Sequence, residues 1–171
     1  MRPENEKIIK DFLQDWYQSL IWQSSQTVLG AELPLKTADQ LYNDSFGFDL
    51  RVIGDAAEKT PDQWTQETAE EALDSVQKVC EWMFSRPRMG AEYKIPAEFW
   101  ATPIGWLCLT AYMWAHQDRL ITISEAAELL HRPISTIASR VERGALTAYI
   151  DPNETNPRRQ TRISLAEISK K

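Results

Sequence analysis

Residues 121–168 read ITISEAAELLHRPISTIASRVERGALTAYIDPNETNPRRQTRISLAEI. Two short helical patterns, a strand, a basic loop, a second strand and a new helix start follow one another within this segment. Ser124 is positioned to cap a first short helix over Glu125–Leu130, with Ala127 and Leu130 facing inward. Ala126 and Ala127 are small, as helices must be where they cross closely. His131-Arg132-Pro133 makes a turn. A second helix is expected from Pro133 or Ile134 to Arg143, because Ile134, Ile137 and Val141 recur at i, i+3 and i+7 and so share one apolar stripe. Gly144 is the expected stop. The opposite face of this helix then carries Ser135, Thr136, Ser139, Arg140 and Arg143, short hydroxyls beside long cations. Leu146 to Ile150 alternates weakly, as a strand would. Asp151 to Pro157 is rich in turn residues. Arg158, Arg159 and Arg162 cluster around the second strand, and Ser164 caps a last short helix, Leu165–Ile168.

Upstream, the pattern is helical with interruptions. Ile8, Ile9, Phe12, Leu13, Trp16, Tyr17, Leu20 and Ile21 form a broad apolar face on a helix over residues 4–29, with Gly30 as its stop. Residues 31–63 scatter Pro, Gly and Asp among short apolar pieces. One short helix is expected near Thr37–Tyr42, and an extended piece at Asp49–Ile53. A second long helix, from Pro61 or Thr65 to Phe84, carries the stripe Ala69, Leu73, Val76, Cys80 and Phe84. Residues 85–90 (SRPRMG) break it. Thr102-Pro103 is an N-cap followed by proline at the first helical position, and starts a further helix. Its residues Ile104 to Ala115 are apolar nearly all round, which implies burial on several sides.

Composition bounds the classes. The chain has 171 residues, 43% hydrophobic and 10% aromatic, enough for a packed core. The longest apolar run, Ile104–Ala115, is shorter than the ~20 residues a membrane span needs, and the start MRPENEKIIKDF has no apolar leader run. A cytoplasmic protein with no membrane association is expected. Cys80 and Cys108 show no metal spacing and read as buried thiols. The net charge of −6 conceals an asymmetry. Residues 1–115 hold 10 Lys and Arg against 18 Asp and Glu, whereas residues 116–171 hold 9 against 7. The body is therefore −8 and the C-terminal part +2, and the local balance is what a polyanion within a Debye length, about 8–10 Å, would experience.

In order and spacing, residues 121–168 resemble the excisionase-like and MerR-like winged helix-turn-helix family. Arg132 and Pro133 depart from that family's more usual apolar residue and capping serine, and the loop between the strands is longer than the minimal form. The resemblance implies a DNA-binding module in which the second helix enters the major groove and the hairpin wing touches backbone or minor groove. Ser135, Thr136, Ser139 and Arg140 are then the groove-facing candidates. Arg158, Arg159 and Arg162 are the wing candidates, and Arg132 and Arg143 complete the contact set. The expected architecture is mainly α: an acidic helical domain over residues 1–117, then a winged helix-turn-helix with a small β-hairpin over residues 118–171. The expected function is sequence-specific binding of double-stranded DNA by a transcriptional regulator, as a homodimer through residues 1–117. It would be no enzyme, and would have no cofactor and no metal. The rival reading is an interaction subunit, such as an antitoxin or a phage or transposon accessory factor, whose winged fold contacts a protein partner.

Milder readings stand beside these. Arg140 and Arg143 could pair with Glu128 and Glu142. The seven tryptophans are expected in the core rather than as a stacking platform for single strands. Glu67, Glu70, Glu71 and Asp74 read as a solvated helix face, and His116 and His131 as helix-end or loop residues.

Overall fold

The computed structural model describes residues 1–27, 35–84 and 95–169. The expected stops at Gly30 and at residues 85–90 lie outside these. The described chain is mainly helical, with a small three-stranded antiparallel sheet.

Helix α1, Pro3–Thr27, buries Ile9, Leu13 and Tyr17 one turn apart, with Ile8, Phe12, Trp16 and Ile21 packed beside them. Helix α2, Ala38–Tyr42, opens with a capping box in which Thr37 and Gln40 bond each other's backbone N–H. Lys10 ties α1 to α2 through Asp39, at 2.7 Å. Helix α3, Ser45–Ala56, occupies the segment expected to be extended at Asp49–Ile53. The Asp44 carboxylate caps it by accepting from the Gly47 N–H at 3.0 Å. Two interior glycines cost about 1 kcal/mol each in helix propensity. Tertiary contact outweighs that cost: Leu50 and Ile53 are fully buried, and a Cβ on Gly47 would collide with the Leu41 and Tyr42 carbonyls. The glycine is what lets α3 start against the end of α2.

A 3-10 turn at Pro61–Gln63 precedes α4, Gln66–Phe84. The buried stripe of α4 is Ala69, Ala72, Val76, Val79 and Cys80, with Leu73 and Phe84 at its margins. Ser75, also buried, hydrogen-bonds Asp49 of α3 at 3.1 Å. A second 3-10 turn, Ala97–Ala101, leads into α5, Pro103–Ala115. Thr102 caps α5 by accepting from the Gly105 N–H at 3.1 Å, and its hydroxyl donates to the Phe99 carbonyl at 2.7 Å. Helix α5 packs on α1, α3 and α4, and nine of its thirteen residues are buried. Its all-round apolar character is thus satisfied within one chain.

Beyond α5 the order is strand β1 (Leu120–Thr122), α6 (Ile123–Leu129), α7 (Ile134–Glu142), β2 (Tyr149–Ile150), α8 (Pro157–Gln160), β3 (Thr161–Ser164) and α9 (Leu165–Ser169). β3 is central, in the order β1-β3-β2, pairing Ile121 with Ile163 and Tyr149 with Arg162. β1 was not expected from the sequence, and β2 is shorter than Leu146–Ile150. A second core, separate from that of α1 to α5, gathers Ile121, Ala126, Ala127, Ile137, Leu146, Ile163 and Ile168. No helix among the described residues is long and apolar enough to cross a membrane.

Candidate nucleic-acid interface

Local hydrogen bonds fix the α6–α7 pair. The cap of α6 is Thr122, not Ser124. Thr122 Oγ1 accepts from the Glu125 N–H at 3.1 Å, and Glu125 Oε2 accepts from the Thr122 N–H at 2.7 Å and its hydroxyl at 2.8 Å. These bonds, the backbone one above all, hold the Glu125 carboxyl below its ordinary value against the opposing effect of burial. α6 ends when His131 takes a left-handed φ of 50°. The His131 N–H then reaches the Glu128 carbonyl at 3.1 Å, and the Arg132 N–H the Ala127 carbonyl at 2.9 Å. This double closure turns the chain sharply into Pro133, the residue that precedes α7. α7 ends the same way. Gly144 has φ 70°, its N–H bonds the Val141 carbonyl at 2.9 Å, and the Ala145 N–H bonds the Arg140 carbonyl at 2.8 Å.

Ile137 anchors α7 in the second core, with Val141 packed against that core. Ile134, expected on the same stripe, is 55% exposed. It lies in the first turn of α7, beyond the reach of the small core beneath. At 100° per residue, the arc away from Ile137 and Val141 presents Glu142, Ser135, Ser139, Arg143 and Thr136 in angular order, with Arg140 at its edge, 60° from Ile137. Ser135, Thr136 and Arg143 are exposed, and Ser139 and Arg140 half-buried. Arg143 Nε donates to the Ser139 carbonyl at 3.0 Å, which lays its stem along the helix. Among the described residues, no carboxylate lies within ion-pair distance of Arg132, Arg140, Arg143 or Arg159. The pairing of Arg140 or Arg143 with Glu128 or Glu142 is therefore absent there.

The hairpin arginines divide. Arg159 is exposed, and the Arg158 side chain lies outside the described residues. Arg162 is engaged: its Nη2 meets Asp151 Oδ2 at 2.9 Å, with the two side chains only 20% and 11% exposed. Asp151 also accepts from the Asn153 N–H at 3.0 Å, and its own N–H reaches the Gln160 carbonyl at 2.9 Å. This ion pair therefore closes the loop between β2 and β3. Two further acids hold the unit, and nothing in local sequence marks them. Glu167 accepts from the Thr147 N–H at 2.9 Å, tying α9 to the approach to β2. Asp118 accepts from the Ser164 hydroxyl at 2.5 Å and from the Arg119 and Ala166 N–H groups, joining the end of α5 to the start of α9. Ser164 in turn caps α9 through the Glu167 N–H, as expected.

The other candidates fall where the milder readings place them, with one exception. Glu67, Glu70, Glu71 and Asp74 form an exposed face of α4. His116 and His131 close helix ends. Burial pushes the Cys80 thiol up to about 11 and raises that of Cys108 as well, so both stay protonated at neutral pH. No group of three His, Cys, Asp or Glu suited to a metal occurs among the described residues. Trp16, Trp64, Trp100 and Trp114 pack into the first core, but Trp22 and Trp82 are exposed. No protein-family model, curated protein or solved structure matches the chain.

Proposed function

We propose that residues 118–171 form a winged helix-turn-helix module that binds double-stranded DNA sequence-specifically. The chain is then a transcriptional regulator, an acidic helical unit over residues 1–117 carrying a basic reading module. The observation that carries this reading is the outer face of α7. Ser135, Thr136, Ser139 and Arg143 stand together there with Arg140 at the edge and Glu142 beside Ser135, and no carboxylate among the described residues lies within ion-pair distance of either arginine. An α-helix, about 10–12 Å across with its side chains, matches the roughly 12 Å width of the major groove. Hydroxyls and guanidinium groups are suited to base edges and phosphates, and Arg132 at the turn and Arg159 on the hairpin are further exposed cations of the same module. Arg162 serves this surface indirectly, by holding the hairpin through Asp151.

A second reading, contact with a protein partner, draws support from the aromatic face of the acidic unit. Trp82 is 44% exposed and lies tilted against Phe46 and Trp16, with ring centroids 3.9 and 4.0 Å away. Fluorescence anisotropy on duplex fragments recovered by genome-wide capture distinguishes the two. DNA binding is expected to weaken steeply with salt. Arg140→Ala is expected to cost about 1–3 kcal/mol on the cognate site and to relax discrimination. Equal loss on random duplex assigns Arg140 to the backbone. Absence of salt-sensitive duplex binding, with a stable co-purifying protein, overturns the DNA reading in favour of the partner.

A further inference from the structure

A cavity of about 370 Å³ lies where the two cores meet, between the Pro61 turn, the end of α5 and the start of α9. Its walls are the rings of Trp64 and Trp114 and the side chains of Pro61 and Leu165; Gln117, Asp118 and Arg119 form its polar side. The volume falls within the roughly 300–1,000 Å³ usual for small-molecule sites.

The chemistry of the occupant follows from which polar groups are already engaged. Trp64 Nε1 donates to the Ala115 carbonyl at 3.0 Å, and Trp114 Nε1 to the Thr60 carbonyl at 3.2 Å. Neither indole N–H is therefore free for an occupant; Trp64 is half-buried and Trp114 buried. The last carbonyls of α5 are engaged too. Those of Tyr112, Met113 and Trp114 accept from the His116, Asp118 and Gln117 N–H groups, and that of Ala115 accepts from Trp64. Asp118 has three donors on its carboxylate. What remains is the exposed Gln117 amide and the exposed Arg119 guanidinium, which has no carboxylate within ion-pair distance among the described residues but lies close enough to Glu125 to help hold that carboxyl ionised. Gln117 can donate or accept, whereas Arg119 only donates and is cationic. Lys59 Nζ, 5.1 Å from the Trp114 ring centroid, is a second cation near the same ring. Gln117 holds a left-handed φ of 56° because it closes the end of α5, as His131 and Gly144 close α6 and α7.

We propose that this cavity binds a small planar aromatic anion, its flat body between Trp64, Trp114 and Leu165 and its carboxylate on Arg119 and Gln117. Trp64 and Trp114 belong to the core of α1 to α5, whereas Leu165 packs against the second core. An occupant therefore contacts both units and biases how the second is held. On the DNA-binding reading, on which this last step rests, the anion is an effector that alters duplex affinity.

The test uses the full-length chain labelled with ¹⁵N, with 2-naphthoate as probe and neutral 2-naphthamide as its isostere. Titration with 2-naphthoate is expected to shift the indole N–H resonances of Trp64 and Trp114 and to leave those of Trp16 and Trp82 in place. Arg119→Gln, at an exposed position, is expected to weaken 2-naphthoate about tenfold through loss of a charge-assisted contact, and to leave 2-naphthamide unchanged. No shift up to millimolar probe overturns the site, as do shifts confined to Trp16 and Trp82. Equal affinity for the two probes, or an Arg119→Gln variant that keeps its preference for the anion, overturns the anion assignment. Anisotropy on duplex DNA with and without saturating 2-naphthoate separates the two proposals. Naphthoate binding without duplex binding removes the regulator reading and leaves the site, and duplex binding without naphthoate binding does the reverse.

Discussion

Gln117 and His131 hold φ values of 56° and 50°, at the ends of α5 and α6. An L-residue with a Cβ is held there against a steric cost of roughly 1–2 kcal/mol. Gly144, which ends α7 at φ 70°, avoids that cost. Gln117→Gly and His131→Gly are each expected to stabilise the fold by about 0.5–1 kcal/mol, since glycine relieves the strain but gains freedom in the unfolded chain. Urea midpoints at constant m-value measure this, and a loss of stability would mean that the side chains make contacts that outweigh the strain. The arginines of the hairpin differ at the same scale. Arg162→Ala leaves Asp151 buried without its counter-charge and is expected to destabilise by about 1–3 kcal/mol. Arg159→Ala is expected to leave stability within about 0.5 kcal/mol of wild type. On the proposed DNA contact, Arg159→Ala lowers the slope of log affinity against log salt by about one unit. An Arg162→Ala variant as stable as the wild type would show that the ion pair contributes little to closing the loop.

At the scale of an element, α6 depends on its capping box more than on propensity, because it has only seven residues. The Thr122 backbone N–H holds the Glu125 carboxyl below its ordinary 4.5. The folded state therefore favours the ionised form. Its contribution is complete above pH 4.5 and is lost as pH falls through the lower folded value. Glu125→Gln can still accept the cap hydrogen bond but cannot titrate. The variant is expected to lose less stability than wild type between pH 7 and pH 3, measured by urea unfolding at each pH. An equal loss would place the acid sensitivity of the fold elsewhere. The α7 helix relies on tertiary burial instead: it has no side-chain cap, and Ile137 seats it in the second core.

At the scale of the molecule, the distribution of apolar surface bears on assembly. The all-round apolar helix α5 is covered by α1, α3 and α4 of its own chain, so it leaves little surface for a homodimer through residues 1–117. The exposed Trp82, with half-buried Phe46 against it, is one aromatic surface that a second copy could use, against the repulsion of two acidic bodies. On the DNA-binding reading, one small module has a small footprint, and modules of this kind commonly read paired half-sites. A homodimer is therefore expected, and its association should strengthen with added salt as that repulsion is screened. Light scattering at micromolar concentration checks this. The mass of one chain at every concentration and salt level would reject the dimer.

Helix periodicity, Pro103 after Thr102, Gly144 after Arg143 and the charge asymmetry were legible in the sequence, because each depends on residues a few positions apart. α1, α2, α4, α5 and α7 follow from such signals. So does the grouping of Ser135, Thr136, Ser139, Arg140 and Arg143 on one face of α7. Even the Thr122-x-x-Glu125 box was written there, although Ser124 competed for the role. What the sequence could not supply depends on partners far away in the chain. α3 is helical because its glycines and apolar residues fit against α2 and the first core, and local propensity points the other way. The strand β1 is three residues long and exists only because β3 offers it a register. Arg162 reads as one more free cation until the hairpin closes and brings Asp151 to 2.9 Å. Asp118 becomes a junction only when α9 folds back onto the end of α5. Short-range order was determined by covalent neighbours and their periodicity, whereas the pairing of charges, strands and helix ends was decided by burial, which exists only once the chain has closed on itself.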